Sequence, residues 1–129
     1  KWPADIVLSA AVGGVLPGFL TAKALGLPHV FCEKRDGALI LRRGFELAPG
    51  TRVLLVEDEV STGQSLREML EIVRALKGQV AGIACIVDKS GGKLQLDIPF
   101  EKLLTVPVTH YPASACPLCQ AGLPLEPSP

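Results

Sequence analysis

The residues of this chain best suited to chemistry are two adjacent carboxylates, Glu57 and Asp58, followed closely by Ser61, Thr62, Gly63, Gln64 and Ser65. Neighbours at a strand end point different ways, so the acidic pair suits gripping two adjacent hydroxyls, as in a ribose diol, better than sharing one proton. The hydroxyl and glycine residues come just before a helical pattern. A helix start offers free N–H groups and the positive end of a dipole, which fit a phosphomonoester. The Gly-Lys-Ser/Thr ending of a nucleoside triphosphate loop is absent. The bland alternative for the carboxylates is to cap the following helix or to solvate a strand end.

The elements around these residues follow from periodicity. Val53, Leu54, Leu55 and Val56 form a run of four branched apolar residues, the pattern of a strand buried on both faces, ending at the acidic pair. Residues 5–9 predict a first strand, residues 10–14 a glycine turn, and residues 15–25 a helix that starts near Leu16, because Pro17 is tolerated only in a first turn. Gly26 and Pro28 stop that helix, and strand resumes over residues 29–33. The charged stretch 33–50 reads as a hairpin or mobile flap with a strand at 38–41, closed by Pro49-Gly50. Leu66, Met69, Leu70, Val73 and Leu76 place a helix over residues 65–77, capped by Gly78. Strands follow at residues 80–87 and 103–108, before a Pro-rich tail at about 112–129. The alternation predicts one α/β domain over residues 1–129, with a mostly parallel twisted sheet and helices on both faces. Ligands of such sheets gather at the carboxyl ends of strands, which here carry the loops 9–14, 57–65 and 88–93.

Thirteen basic and thirteen acidic residues cancel, so no overall field selects nucleic acid or an anionic membrane as a partner. The apolar runs are shorter than the roughly 20 residues that cross a bilayer, and the first residues lack a signal-peptide layout, so the expectation is a soluble cytoplasmic protein. The start at Lys1-Trp2-Pro3, without methionine, suggests missing N-terminal sequence. Cys32 and Cys85 lie in apolar runs and read as buried small hydrophobes. Cys116 and Cys119 form a C-x-x-C pair open to three readings: a reduced structural turn, a redox or disulfide pair, or half of a zinc site.

The apolar strand, acidic pair and Thr-Gly loop together resemble the phosphoribosyl-pyrophosphate (PRPP) signature of type I phosphoribosyltransferases. Further stretches, Leu41-Arg42-Arg43-Gly44-Phe45, residues 87–93 and residues 116–125, are similar to the orotate phosphoribosyltransferases of one prokaryotic branch. The resemblance implies that Glu57 and Asp58 hold the ribose hydroxyls, and that Ser61, Thr62, Gly63, Gln64 and Ser65 hold the 5-phosphate. It assigns pyrophosphate to Ala11, Val12, Gly13 and Gly14, with Lys34, Arg35, Arg42 and Arg43 as cations of a closing loop. Lys34 joins the acidic pair as a catalytic group, and Lys89 faces the base. The implied cofactor is Mg2+, brought with PRPP, with Asp58 as the candidate direct ligand. The implied substrates are PRPP and orotate, and the implied assembly is a homodimer to which Trp2 and the apolar beginning could contribute.

The chain departs from the family's pattern in four ways. The N-terminal hood is expected to be missing, Lys89 stands in place of an Arg, Glu59 in place of an apolar residue, and Gln64 in place of a frequent Gly. Lysine keeps the charge but loses the bidentate fork. Two alternatives share the fold: a truncated or non-catalytic PRPP or nucleotide binder, and a transferase for another base such as a purine. A response-regulator receiver, suggested by the run Val-Glu-Asp-Glu, needs more chain after Thr51 than is present.

Overall fold

In a computed structural model of the chain, residues 2–124 are described; Lys1 and residues 125–129, the end of the Pro-rich tail, lie outside the described residues. The apolar run at 53–56 is the middle of a six-stranded sheet of order β3-β2-β1-β4-β5-β6. The strands are β1 (Ile6–Ala10), β2 (His29–Arg35), β3 (Ala38–Leu41), β4 (Arg52–Val60), β5 (Gln79–Asp88) and β6 (Phe100–Thr105). All neighbours are parallel except β2 and β3, which form an antiparallel hairpin at one edge. The helices are α1 (Val15–Leu25), α2 (Gln64–Ala75) and the short α3 (Pro117–Gln120). The expected mostly parallel α/β sheet, with one long helix on each face, is what forms.

Strand alternation sorts the core. Ile6, Leu8, Val53 and Leu55 pack with Leu66, Met69, Leu70 and Val73 of α2, whereas Val7, Leu54 and Val56 pack with Ala22 of α1 and with Trp2. Leu8, Leu55, Leu66 and Met69 are wholly or almost wholly buried, each worth about 1.5–3 kcal/mol of transfer free energy. Because β1 connects through α1 to β2 on one side, and β4 through α2 to β5 on the other, the strand order reverses between the parallel neighbours β1 and β4. A crevice opens at such a switch point, beyond the carboxyl ends of the strands.

Several boundaries differ from the sequence expectation. β4 does not stop at the acidic pair but runs to Val60, because Glu57, Glu59 and Val60 still find partners in Cys85, Val87 and Asp88 of β5. The last strand is Phe100–Thr105 rather than 103–108, paired along β5 from Ile83 to Asp88. At the end of α2 it is Lys77, with φ 58°, that takes the left-handed position expected of Gly78, while the Gly78 N–H donates to the Val73 carbonyl at 2.8 Å. That closing pattern satisfies the helix's last carbonyls. The segment expected as a flap is the β2–β3 edge followed by a loop. Leu39 and Leu47 are buried, and Phe45 packs edge-on against Phe31 at 5.2 Å between ring centroids. Residues 34–38, 42–44, 46 and 48–50 of the segment stand in solvent.

Candidate functional site

The crevice between β1 and β4 holds an open cleft of about 340 Å3, lined by Ala10, Ala11, Gly13, Lys34, residues 57–65 and Leu66. It gathers most of the groups singled out from sequence. Glu57, Asp58, Ser61, Thr62, Gly63, Gln64 and Ser65 come from the end of β4 and the loop into α2, Ala11 and Gly13 from the turn after β1, and Lys34 from β2.

The turn after β1 lies directly on the carboxylates. A Cβ added to Gly13 would sit 2.6 Å from Asp58 Cγ, and one added to Gly14 would sit 3.0 Å from Glu57 Oε2 and 2.7 Å from the Ala10 carbonyl oxygen. Glycine is therefore needed here for close approach. Glu57 is 4% exposed, and its Oε1 has no hydrogen-bond partner. Burial, and then the neighbouring Asp58 charge, push the Glu57 carboxyl up to about 8. A buried polar atom without a partner at the floor of an open cleft is suited to receive a ligand hydroxyl.

The loop into α2 is shaped for an anion. Gly63 at the helix start has φ 76°, and a Cβ there would also meet Leu94 Cδ1 at 2.6 Å. The first-turn N–H groups have no intrahelical acceptor and point along the positive end of the helix dipole. The Gln64 side chain is turned away from this role: its amide donates to Glu68 Oε1 at 2.9 Å, while Glu68 Oε2 accepts the Leu39 N–H at 2.9 Å, tying α2 to β3. Gln64 thus contributes backbone to the cleft, as a glycine would.

Other expected residues lie elsewhere. Val12 is 88% exposed and, like Gly14, does not line the cleft. Arg43 makes a two-pronged pair with Glu33 at 2.7 and 3.0 Å and lies over the Phe31 ring at 6.0 Å. Arg35 pairs with Asp36 at 3.7 Å, and Arg42 is exposed at the tip. Lys34 is the one of the four cations that reaches the cleft. Lys89 lines an adjoining cleft of about 370 Å3, with Ser61, Thr62, Arg67, Ser90, Lys93 and His110 among its walls. Its ammonium pairs with the Glu59 carboxylate, so two of the residues that depart from the family's pattern are partners.

Sequence reasoning passed over Arg67, Lys93 and His110. The first two were legible as cations beside the loops 57–65 and 88–93, but nothing in sequence brought them to one wall. Asp88 is also new: it is 1% exposed, accepts from Ser90 N–H and Oγ–H at 2.9 and 2.6 Å, and pairs with Lys102 at 2.8 Å. Burial would raise its carboxyl, but the Lys102 and Ser90 hydrogen bonds hold it below the ordinary carboxylate range. It anchors the loop that carries Lys89.

Cys32, Cys85, Cys116 and Cys119 are free thiols, and no group of three or more His, Cys, Asp or Glu suited to a metal occurs among the described residues. Hydrogen bonds from Cys119 hold the Cys116 thiol below its ordinary range. No helix among the described residues is long and apolar enough to cross a membrane.

The fold and cleft place the chain in a class: the family model for the phosphoribosyl transferase domain matches residues 2–114, and the chain belongs to that family. Among curated proteins it is similar to an orotate phosphoribosyltransferase of Thermus thermophilus, 46% identical over 123 residues. It is also similar to one of Caldanaerobacter subterraneus subsp. tengcongensis, 43% identical over 121 residues. These matches take in 95% and 94% of this chain but only 67% and 64% of the two relatives, so the chain spans about two thirds of their length. Among solved structures, the adenine phosphoribosyltransferase of Thermoanaerobacter pseudethanolicus superposes with a TM-score of 0.72 at 21% identity, over 82% of this chain and 72% of the other. The purine phosphoribosyltransferase of Pyrococcus horikoshii gives 0.66 at 24%, over 81% and 71%. At such identities these two share the fold.

Proposed function

We propose that the chain carries the phosphoribosyl-transfer core of an orotate phosphoribosyltransferase, forming orotidine 5'-monophosphate and pyrophosphate from orotate and PRPP. The observation that carries this is the meeting, in one cleft at the sheet's switch point, of a buried carboxyl with an unpartnered oxygen, the start of a helix and a glycine turn. The identity to orotate phosphoribosyltransferases supports orotate as the base.

Glu57 and Asp58 hold the ribose hydroxyls. Ser61, Thr62 and Ser65, with the backbone of Gly63 and Gln64, hold the 5-phosphate at the start of α2. The turn after β1 receives the pyrophosphate through Ala11 and Gly13, which line the cleft, and Lys34 stabilises its leaving charge. A ring nitrogen of the base forms a bond to the anomeric carbon as the bond to pyrophosphate breaks, so no protein nucleophile is used. Positive charge builds on the sugar, and the carboxylates beneath it lower the barrier. Arg35, Arg42 and Arg43 belong to the hairpin side of the pyrophosphate, and reaching it requires Arg43 to leave Glu33.

The residues present fit a magnesium ion carried in by the substrate: the hard oxygens of Asp58 and Glu57 at an open cleft match an ion held by one or two carboxylates plus phosphates. When bound, it neutralises phosphate charge. Exposed Leu16, Phe19 and Leu20 on α1 support a homodimer surface, and the free cysteines support a cytoplasmic setting. Trp2 instead packs inward on the α1-side core.

The test supplies protein, magnesium and PRPP with orotate, uracil or adenine and follows nucleotide formation. Orotidine monophosphate from orotate alone is the expected result. Product from adenine moves the base assignment to purines, and PRPP binding without turnover makes the chain a binder of the same fold.

A further inference from the structure

The two clefts share Ser61 and Thr62 but have opposite character. The first is lined by Glu57, Asp58 and Glu59 against the single cation Lys34. The second is lined by Arg67, Lys89 and Lys93, with His110, and by no carboxylate. Such a wall suits an anionic group, as cations in a concave, partly desolvated site attract it. Arg67 is fixed there by donating to the Thr62 carbonyl at 3.0 Å, and the Lys89 backbone is fixed by its N–H to the Val60 carbonyl at 2.7 Å. Arg67 thus commits one N–H to a neutral carbonyl, whereas the Lys89 ammonium is paired with a carboxylate, that of Glu59.

Glu59 is not needed for the strand. Its backbone position on β4 opposite Val87 is set by the ladder, its side chain is half-exposed, and its carboxylate reaches across the boundary from the acidic cleft to the basic one. An anion entering the second cleft meets Glu59 as a competitor for Lys89 and as a like charge.

We propose that Glu59 is a specificity-determining residue: its carboxylate occupies Lys89, and a carboxylate-bearing acceptor base enters the second cleft only by displacing it. A neutral base pays no such cost. This rests on the proposed transfer to a carboxylated base, and it gives Glu59 and Lys89 a joint role in discriminating between bases. Removing the Glu59 charge frees the ammonium and strengthens binding of the anionic base by about threefold to tenfold, the scale of one half-exposed ion pair plus relief of repulsion.

The test is titration calorimetry of orotate and of uracil with wild type, Glu59→Gln, Glu59→Ser and the double variant Glu59→Gln/Lys89→Met. Circular dichroism checks the fold of each. Expected is tighter orotate binding in both Glu59 variants, unchanged uracil binding, and loss of the gain in the double variant. An unchanged orotate-to-uracil ratio, weaker orotate binding, or a gain that survives loss of Lys89 overturns the inference; so does failure of every form to bind orotate. The transfer assay is separate. Orotidine monophosphate formed with an unchanged ratio refutes only the role of Glu59, whereas no product alongside a shifted ratio refutes only the activity.

Discussion

Replacing Glu57 by Gln isolates the most unusual electrostatic feature of the cleft. The Glu57 carboxyl ionises near 4.5 in an unfolded chain, but burial beside Asp58 raises it to about 8 in the folded one. A raised acid favours the fold while protonated. Its contribution is complete below pH 4.5 and declines as pH rises toward 8, because the unfolded chain releases its proton first. Each pH unit in that window costs about 1.4 kcal/mol, or roughly 3–5 kcal/mol across it. Glutamine carries no proton to lose, so Glu57→Gln should gain that amount relative to wild type between pH 4.5 and 8, and nothing further above. For a domain of this size the gain corresponds to roughly 10–15 °C in Tm. Urea unfolding of both proteins at half-unit steps from pH 4.5 to 9 measures it. A difference that stays within about 1 kcal/mol across the window would show that Glu57 is not the buried, raised acid described above.

Four further outcomes follow from the same structure. Ribose 5-phosphate bound through an ionised Glu57 at pH 7 should release nearly one proton, seen as a buffer-dependent heat in calorimetry, and the release should vanish in Glu57→Gln. Gly13→Ala forces a methyl against Asp58 and should weaken ribose 5-phosphate by at least about tenfold, with a Tm change of only a few degrees, since the turn lies outside the core. Asp88→Ala removes the anchor of Ser90 and Lys102 and should cost about 2–3 kcal/mol in urea unfolding. His29 accepts from or donates to Ser9 Oγ at 2.8 Å, and burial lowers its pKa below 6.5. The neutral ring favours the fold, so stability should fall as pH drops below about 6.5, and His29→Gln should flatten that fall.

The central strand and the cleft at its end were legible because local sequence carries both signals: four branched apolar residues announce burial on two faces, and the acidic pair and Ser-Thr-Gly continuation are contiguous. What escaped was set by partners far along the chain. β4 continues through Glu57 and Glu59 because Cys85 and Val87 pair with them, and no local propensity reports that. The Glu59 carboxylate is answered by Lys89, 30 residues on, which no local pattern reports, and the Gln64 amide by Glu68. The edge strand β6 slid by three residues because its register is fixed by β5 rather than by its own apolar pattern, since Glu101 to Thr105 are all exposed. The arginines of the hairpin read as anion ligands, yet Arg43 is spent on Glu33 and Phe31.

The most direct test of the phosphate cradle is a backbone amide NMR titration with ribose 5-phosphate. The largest shifts are expected at Ser61, Thr62, Gly63, Gln64 and Ser65, with smaller ones at Gly13 and Asp58. Saturating shifts confined to other residues, or none at the start of α2, would contradict it.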